Sequence, residues 1–144
     1  MVEIRMSSPE DAAAVSCLLE QLGYVVEPQR AAEQIRRLGE TGVDPILLAV
    51  ADGQVLGLLA MHLTQMLQYQ MPVMRVTALI VDRHARRRAI GSLLMERAER
   101  LAAAAGCEFV ELTSALGRTE AHAFYRSIGY EPNSIRFRKI LVEH

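Results

Sequence analysis

The sequence predicts an α/β protein: an α+β mixed sheet, mostly antiparallel and twisted, with helices on both faces. Three observations predict it. Apolar runs at strand spacing are interleaved with stretches at helical spacing. Two runs, Ile46–Ala51 and Val55–Leu63, are separated by Asp52-Gly53, the turn of an antiparallel hairpin. Further on, a run at Val73–Val81, a helical stretch and another run at Glu108–Thr113 form a β-α-β unit. Its two strands must lie parallel, because the crossover helix returns the chain to the same end of the sheet.

Each element has a local reason. Val2–Met6 alternates as a first strand. Ser8–Leu22 is a helix that opens on Ser8-Pro9-Glu10-Asp11, with a capping residue, a proline at the first position and a capping-box acid. It buries Val15, Leu18, Leu19 and Leu22 and stops at Gly23. Pro28–Leu38 is a second helix with Ala31, Ile35 and Leu38 aligned. After the hairpin, Gln65–Pro72 is a connection and Val73–Val81 a long strand. Ile90–Ala105 is the best-defined helix, with Ile90, Leu94, Ala98, Leu101 and Ala105 on one face and Gly106 closing it. Thr119–Ile128 is a last helix presenting Ala121, Phe124, Tyr125 and Ile128, and Gly129 ends it. Ile135–Leu141 reads as the final strand, with a short one expected at Tyr130.

Composition bounds the function. The chain has 144 residues, enough for a single domain over 1–144, with 51% hydrophobic and 23% charged residues. A net charge of −1 leaves no global field for nucleic acid or an anionic membrane. Cys17 and Cys107 stand alone, so a reduced, cytoplasmic setting is expected, with both thiols buried and inert. No His/Cys/Asp/Glu spacing suggests a metal site.

One place breaks the local rules. The stretch Arg86-Arg87-Arg88-Ala89-Ile90-Gly91-Ser92 opens the long helix with cations and no capping residue. A helix start carries orphan N–H groups and partial positive charge. Cations there are compensated most simply by a bound anion.

The order of elements and two motifs resemble the GNAT superfamily of N-acetyltransferases. The first motif is Arg or Gln, two residues, Gly, one residue, then Gly or Ala; here it reads Arg86-Arg87-Arg88-Ala89-Ile90-Gly91. The second reads Ala121-His122-Ala123-Phe124-Tyr125-Arg126-Ser127-Ile128-Gly129-Tyr130, similar to the family's Ala-x-x-Phe-Tyr signature. The resemblance covers nearly the whole chain. It implies a GNAT-like sheet with a splayed parallel strand pair, and acetyl-CoA as co-substrate with no metal. The amides of Arg87 to Ser92 would hold the pyrophosphate with Arg86, Arg87 and Arg88, and Leu79, Ile80 and Val81 would pair with the pantetheine arm. An N–H near Ile80 or Val81 would face the oxyanion. Tyr125 would protonate the departing thiolate.

Two positions depart from the family. Ala89 replaces the first glycine; alanine takes helical dihedrals, so the site is expected to survive. Arg118 stands where many members have a cofactor-contacting asparagine, and it either reaches a phosphate or is solvated. Glu111 is the candidate general base, if its face of the strand is the reacting one; otherwise it is a partner for Arg75. His62, His84 and His122 are further candidates.

The acceptor side, with Tyr24, Val25, Val26, Glu27, Met66, Tyr69 and Met71, is mainly apolar. It disfavours polycationic substrates and leaves a primary amine of a small molecule or a peptide. A non-catalytic acyl-CoA-binding module is the alternative, and an arginine-patch nucleic-acid binder a weaker one. A homodimer through Ile135–Leu141 is compatible with the pattern.

Overall fold

Asp52 and Gly53 have φ of 52° and 75°. Both values are left-handed, as a two-residue hairpin turn requires. From that turn β2 (Ile46–Ala51) and β3 (Gln54–Thr64) diverge in antiparallel register. They sit at the middle of a five-stranded sheet of order β1-β2-β3-β4-β5, with β1 at Glu3–Met6, β4 at Val73–Val81 and β5 at Val110–Leu112. All neighbours are antiparallel except β4 and β5, which are parallel as the β-α-β reading requires. The structure, a computed structural model, describes residues 1–86 and 89–143. The chain divides into two compact units, Met1–Leu112 and the segment from Thr113 onward.

In the first unit, helices cover both faces of the sheet. On one face, α1 (Ala12–Leu22) and α2 (Pro28–Thr41) bring Val15, Leu18 and Ile35 against Ile46, Leu48, Leu58 and Ile80. On the other lies α3 (Ile90–Ala104), whose buried stripe is Ile90, Leu94, Met95, Ala98 and Ala102. That stripe leaves the expected one after Ala98; Ala105 is exposed. Gly57 lets α3 approach: a Cβ there would lie 2.9 Å from Ile90 Cγ2 and 3.0 Å from Leu94 Cδ1. The helix that carries the arginine motif is thus seated directly on β3.

The ordinary helix start behaves as read. Pro9–Asp11 forms a 3₁₀ turn, and Ser8 N–H donates to Asp11 Oδ2 at 2.8 Å. Arg5 grips the same carboxylate with two bonds, of 2.9 and 2.8 Å. α1 and α2 end on left-handed Gly23 and Gly42.

In the second unit, α4 spans Thr119–Ser127. The strand expected over 135–141 is not formed, nor is one at Tyr130. Ile135 and Phe137 are 79% and 90% exposed. An alternating pattern makes a strand only when a neighbour takes its backbone hydrogen bonds, and this run pairs with no strand among the described residues. Cys17 also departs from expectation: it is exposed, because it falls on the outer side of α1 between buried Val15 and Leu18. Burial raises the pKa of the Cys107 thiol, which keeps it in its less nucleophilic form.

Candidate acetyl-transfer site

The feature that organises the site is a bulge in β4. Val76 pairs with Met61 and Ala78 with Ala60, leaving Thr77 as the extra residue. A bulge bends its strand and interrupts the ladder. β5 pairs with Met74, Arg75 and Val76 only. From Thr77 onward β4 has a neighbour on its β3 side alone, and its other edge has no partner strand among the described residues.

The backbone groups on that edge can be identified. Asp82 N–H turns inward to Leu56 O at 2.7 Å. Successive residues of a strand alternate direction, so Val81 and Leu79 point their N–H and C=O groups outward. Ile80 points toward β3 and buries its side chain in the core. Val81 O accepts a 3.3 Å bond from Arg86 Nε.

The edge leads into the start of α3. Helical bonding begins with Leu93 N–H to Ala89 O, so the amides of Ile90, Gly91 and Ser92 have no helical acceptor. Nothing caps them from Ala89, which has φ 57° and ψ 25°. This corrects the expectation that Ala89 is helical. The position is left-handed, which explains why glycine suits it. Arg87 and Arg88 lie outside the described residues.

The β4–α3 loop is fixed by a side chain that sequence reading missed. Gln21 of α1 donates from Nε2 to Asp82 Oδ2 at 3.0 Å and accepts the Arg83 N–H at Oε1, also at 3.0 Å. Asp82 Oδ1 accepts the His84 N–H at 2.9 Å. These bonds, the Gln21 amide foremost, lower the Asp82 pKa. No local pattern signals a contact between residues 21 and 82.

A second group crosses the α1/α2 face of the sheet. His62 pairs with Arg75, and Arg75 with Glu111, in successive strands. Alternation from Leu58, past the bulge, puts all three on the face that carries α1 and α2. Glu111 therefore lies away from α3, with its Oε2 3.0 Å from Arg75 Nε. At the other end, Asp44 Oδ1 lies 2.6 Å from His62 Nδ1.

In the second unit, Tyr125 is part-buried between Phe124 and Tyr130, with ring centroids 5.4 and 6.3 Å away. Burial raises its pKa, and the Arg118 guanidinium partly offsets this. Arg118 is exposed at the N-cap of α4. His122 is bonded through Nε2 to Ala115 O at 2.8 Å. Ser114 Oγ is buried without a hydrogen bond among the described residues. On the first unit, Tyr24, Val25, Tyr69 and Met71 are exposed apolar residues, and Tyr69 stacks edge-on against Phe109 at 5.1 Å.

An uncapped helix start is thus fed by a half-paired strand, and known proteins resemble this chain over most of its length. The profile of the Acetyltransferase (GNAT) family matches residues 13–130. The chain belongs to that family. Acetyl-CoA is the co-substrate of this family.

An aminoalkylphosphonate N-acetyltransferase of Salmonella typhimurium is 35% identical over 94 residues, which is 65% of this chain and 61% of that protein. The chain thus matches about three fifths of that relative's length. A transcriptional regulator from Bacillus halodurans C-125 shares the fold with TM-score 0.89 at 20% identity, covering 98% of this chain and all of that one. A GNAT family acetyltransferase from Staphylococcus aureus does so with TM-score 0.83 at 19% identity, covering 97% and 98% of the two chains. No helix among the described residues is long and apolar enough to cross a membrane.

Proposed function

We propose that this chain transfers an acetyl group from acetyl-CoA to a primary amine of a small molecule or peptide, by direct attack in a ternary complex. The observation that carries this reading is a pair of backbone surfaces with no partner strand or helical acceptor among the described residues: the outer edge of β4 at Leu79 and the Val81 N–H, and the amides of Ile90, Gly91 and Ser92. The first suits an amide-rich arm and the second a diphosphate. Bound there, acetyl-CoA supplies the acetyl group as a thioester.

The chain's own groups then have distinct roles. Arg86 adds charge beside the phosphates, and Arg87, Arg88 and Arg118 join it in this reading. The Val81 or Leu79 N–H donates to the carbonyl oxygen as negative charge develops on it. Tyr125 protonates the departing sulfur, a role supported by its Phe-Tyr motif and by a burial that keeps the phenol protonated. Glu111, with Oε2 on Arg75, keeps Oε1 for the ammonium of the acceptor.

The Salmonella relative supports a small amine that also carries an anion, and Arg75 stands on the same face as Glu111 to receive one. The engagement of Glu111 by Arg75 favours a second reading, a non-catalytic acyl-CoA-binding module.

Calorimetry with coenzyme A and thiol release with a panel of primary amines separate the readings. The expected result is coenzyme A binding together with amine-dependent thiol release. Tyr125→Phe should lower kcat about 100-fold with little change in coenzyme A affinity. Tight binding with no release for any amine would establish the module, and no binding would remove both readings.

A further inference from the structure

The geometry points to His62 as the group that takes the proton from the acceptor amine, with Asp44 as its positioning residue. This rests on the transferase reading above and moves the proton-accepting role from Glu111, whose carboxylate Arg75 engages at 3.0 Å, to His62.

The pair is built into the sheet. Met61 N–H bonds to Pro45 O at 3.0 Å and Leu63 N–H to Val43 O at 2.7 Å. These bonds extend the β2–β3 ladder by three residues and put Asp44 directly across from His62. Thr41 Oγ1, at the end of α2, lies 2.7 Å from Asp44 Oδ2 and holds the second carboxylate oxygen. The Asp44 side chain is only 15% exposed, whereas that of His62 is 42% exposed.

A carboxylate can only accept a hydrogen bond, so the contact at Asp44 Oδ1 assigns the ring hydrogen to Nδ1. That leaves the Nε2 lone pair as the proton acceptor, and Nε2 makes no hydrogen bond among the described residues. An imidazole fixed through one nitrogen by a carboxylate and open at the other is a general base in form. The charged groups around it on this face are Asp44, Arg75 and, one strand further, Glu111.

The placement fits the reaction. His62 lies two residues along β3 from Ala60, which pairs with Ala78 immediately after the bulge. Two strand residues span about 7 Å, so His62 lies about that far along the sheet from the level at which the free edge of β4 begins, with β4 itself between them. In this proposal a water links Nε2 to an amine bound at that edge. Through that water Nε2 takes one proton from the acceptor's ammonium. The freed lone pair forms the C–N bond, the C–S bond breaks, and the sulfur leaves with the electron pair and takes a proton from Tyr125, which is replenished by the second proton the nitrogen sheds as it becomes an amide. The imidazolium returns its proton to solvent.

Two measurements test the assignment. The first is independent of turnover. Long-range 1H–15N spectra of the neutral ring of His62 should show the Nδ1–H tautomer, and Asp44→Asn should disturb it; an Nε2–H tautomer in the native protein overturns the assignment. The second uses aminomethylphosphonate and benzylamine as acceptors, with thiol release as readout. His62→Gln should lower kcat/KM about 100-fold and abolish the acid limb of its pH profile, with coenzyme A affinity kept within twofold as proof of folding. Added imidazole should restore part of the rate of His62→Ala. Asp44→Asn should lose about tenfold, and Asp44→Glu should recover part of that. His62→Gln with native turnover and an intact acid limb sinks the assignment and leaves the transferase reading standing. Native protein that neither binds coenzyme A nor releases thiol sinks both.

Discussion

Among single residues, Ala89 is the most informative. A non-glycine residue in the left-handed region is disfavoured by about 1–2 kcal/mol, and Ala89 occupies that region at the mouth of α3. Ala89→Gly removes the strain but gives the unfolded chain more freedom, worth about 0.5–1 kcal/mol in the opposite direction. The net expectation is a gain of up to about 1 kcal/mol in urea denaturation, with coenzyme A affinity equal or higher. Ala89→Val should lose stability and coenzyme A affinity together, since a β-branched residue resists this conformation more strongly.

Tyr125 gives a pH test. An acid works only while protonated, and burial raises this phenol above its ordinary value of 10.0. The alkaline fall of kcat should therefore lie above that value. Arg118 lowers the Tyr125 pKa, so Arg118→Gln should move the fall to still higher pH. A fall that moves down in this variant would remove Tyr125 as the acid.

Among the elements, the β4–α3 connection explains what the sequence discloses and what it hides. β2 and β4 begin and end where their apolar runs do, because those strands are central and their pattern records burial. The helix stops at Gly23 and Gly106 and the Asp52-Gly53 turn were equally legible, since each depends on local dihedrals. The bulge at Thr77 was not, because it is a mismatch between two strands rather than a property of one. Of the row Asp44–His62–Arg75–Glu111, only the partnership of Arg75 with Glu111 was offered by the sequence, as one of two readings; the rest exists only through register. Gln21 is a third case: its bonds to Asp82 and Arg83 link residues 61 and 62 positions apart.

That link has a consequence for binding. The loop enters α3 with its backbone tied to α1, so Gln21→Ala should weaken coenzyme A binding severalfold while leaving the global unfolding midpoint nearly unchanged. Gly57→Val should do more. Its side chain would collide with Ile90, which is fully buried, and lift the amino end of α3 from the sheet. Overpacking of this kind costs about 1–3 kcal/mol. Calorimetry and denaturation on both variants would distinguish a loosened loop from a displaced helix.

Over the whole molecule, burial is concentrated in Met1–Leu112. Among the described residues, every buried core residue lies there, from Ala12 to Ala102. The β1–α1 junction belongs to the same unit, and its contribution depends on pH. Arg5 and the Ser8 N–H lower the Asp11 pKa. A lowered carboxylate pKa adds stability above the unfolded value, about 3.9, and loses it as pH falls through the folded value. Asp11→Ala should cost about 1 kcal/mol at pH 7, the loss of a cap, because the exposure of Arg5 screens the rest. The difference from the native protein should vanish in strong acid.

The segment after Leu112 makes the opposite prediction. Phe137 is 90% exposed and Leu59 fully buried. If the chain folds and works as a single copy, Leu59→Ala should cost about 2–5 kcal/mol and Phe137→Ala less than about 0.5 kcal/mol. Both follow from area removed from water, not from residue type. A large loss for Phe137→Ala, with a midpoint that rises with protein concentration, would show that this apolar run is covered by a second copy in solution. The alternation that reads as a strand in the sequence would then have found its neighbour outside the chain.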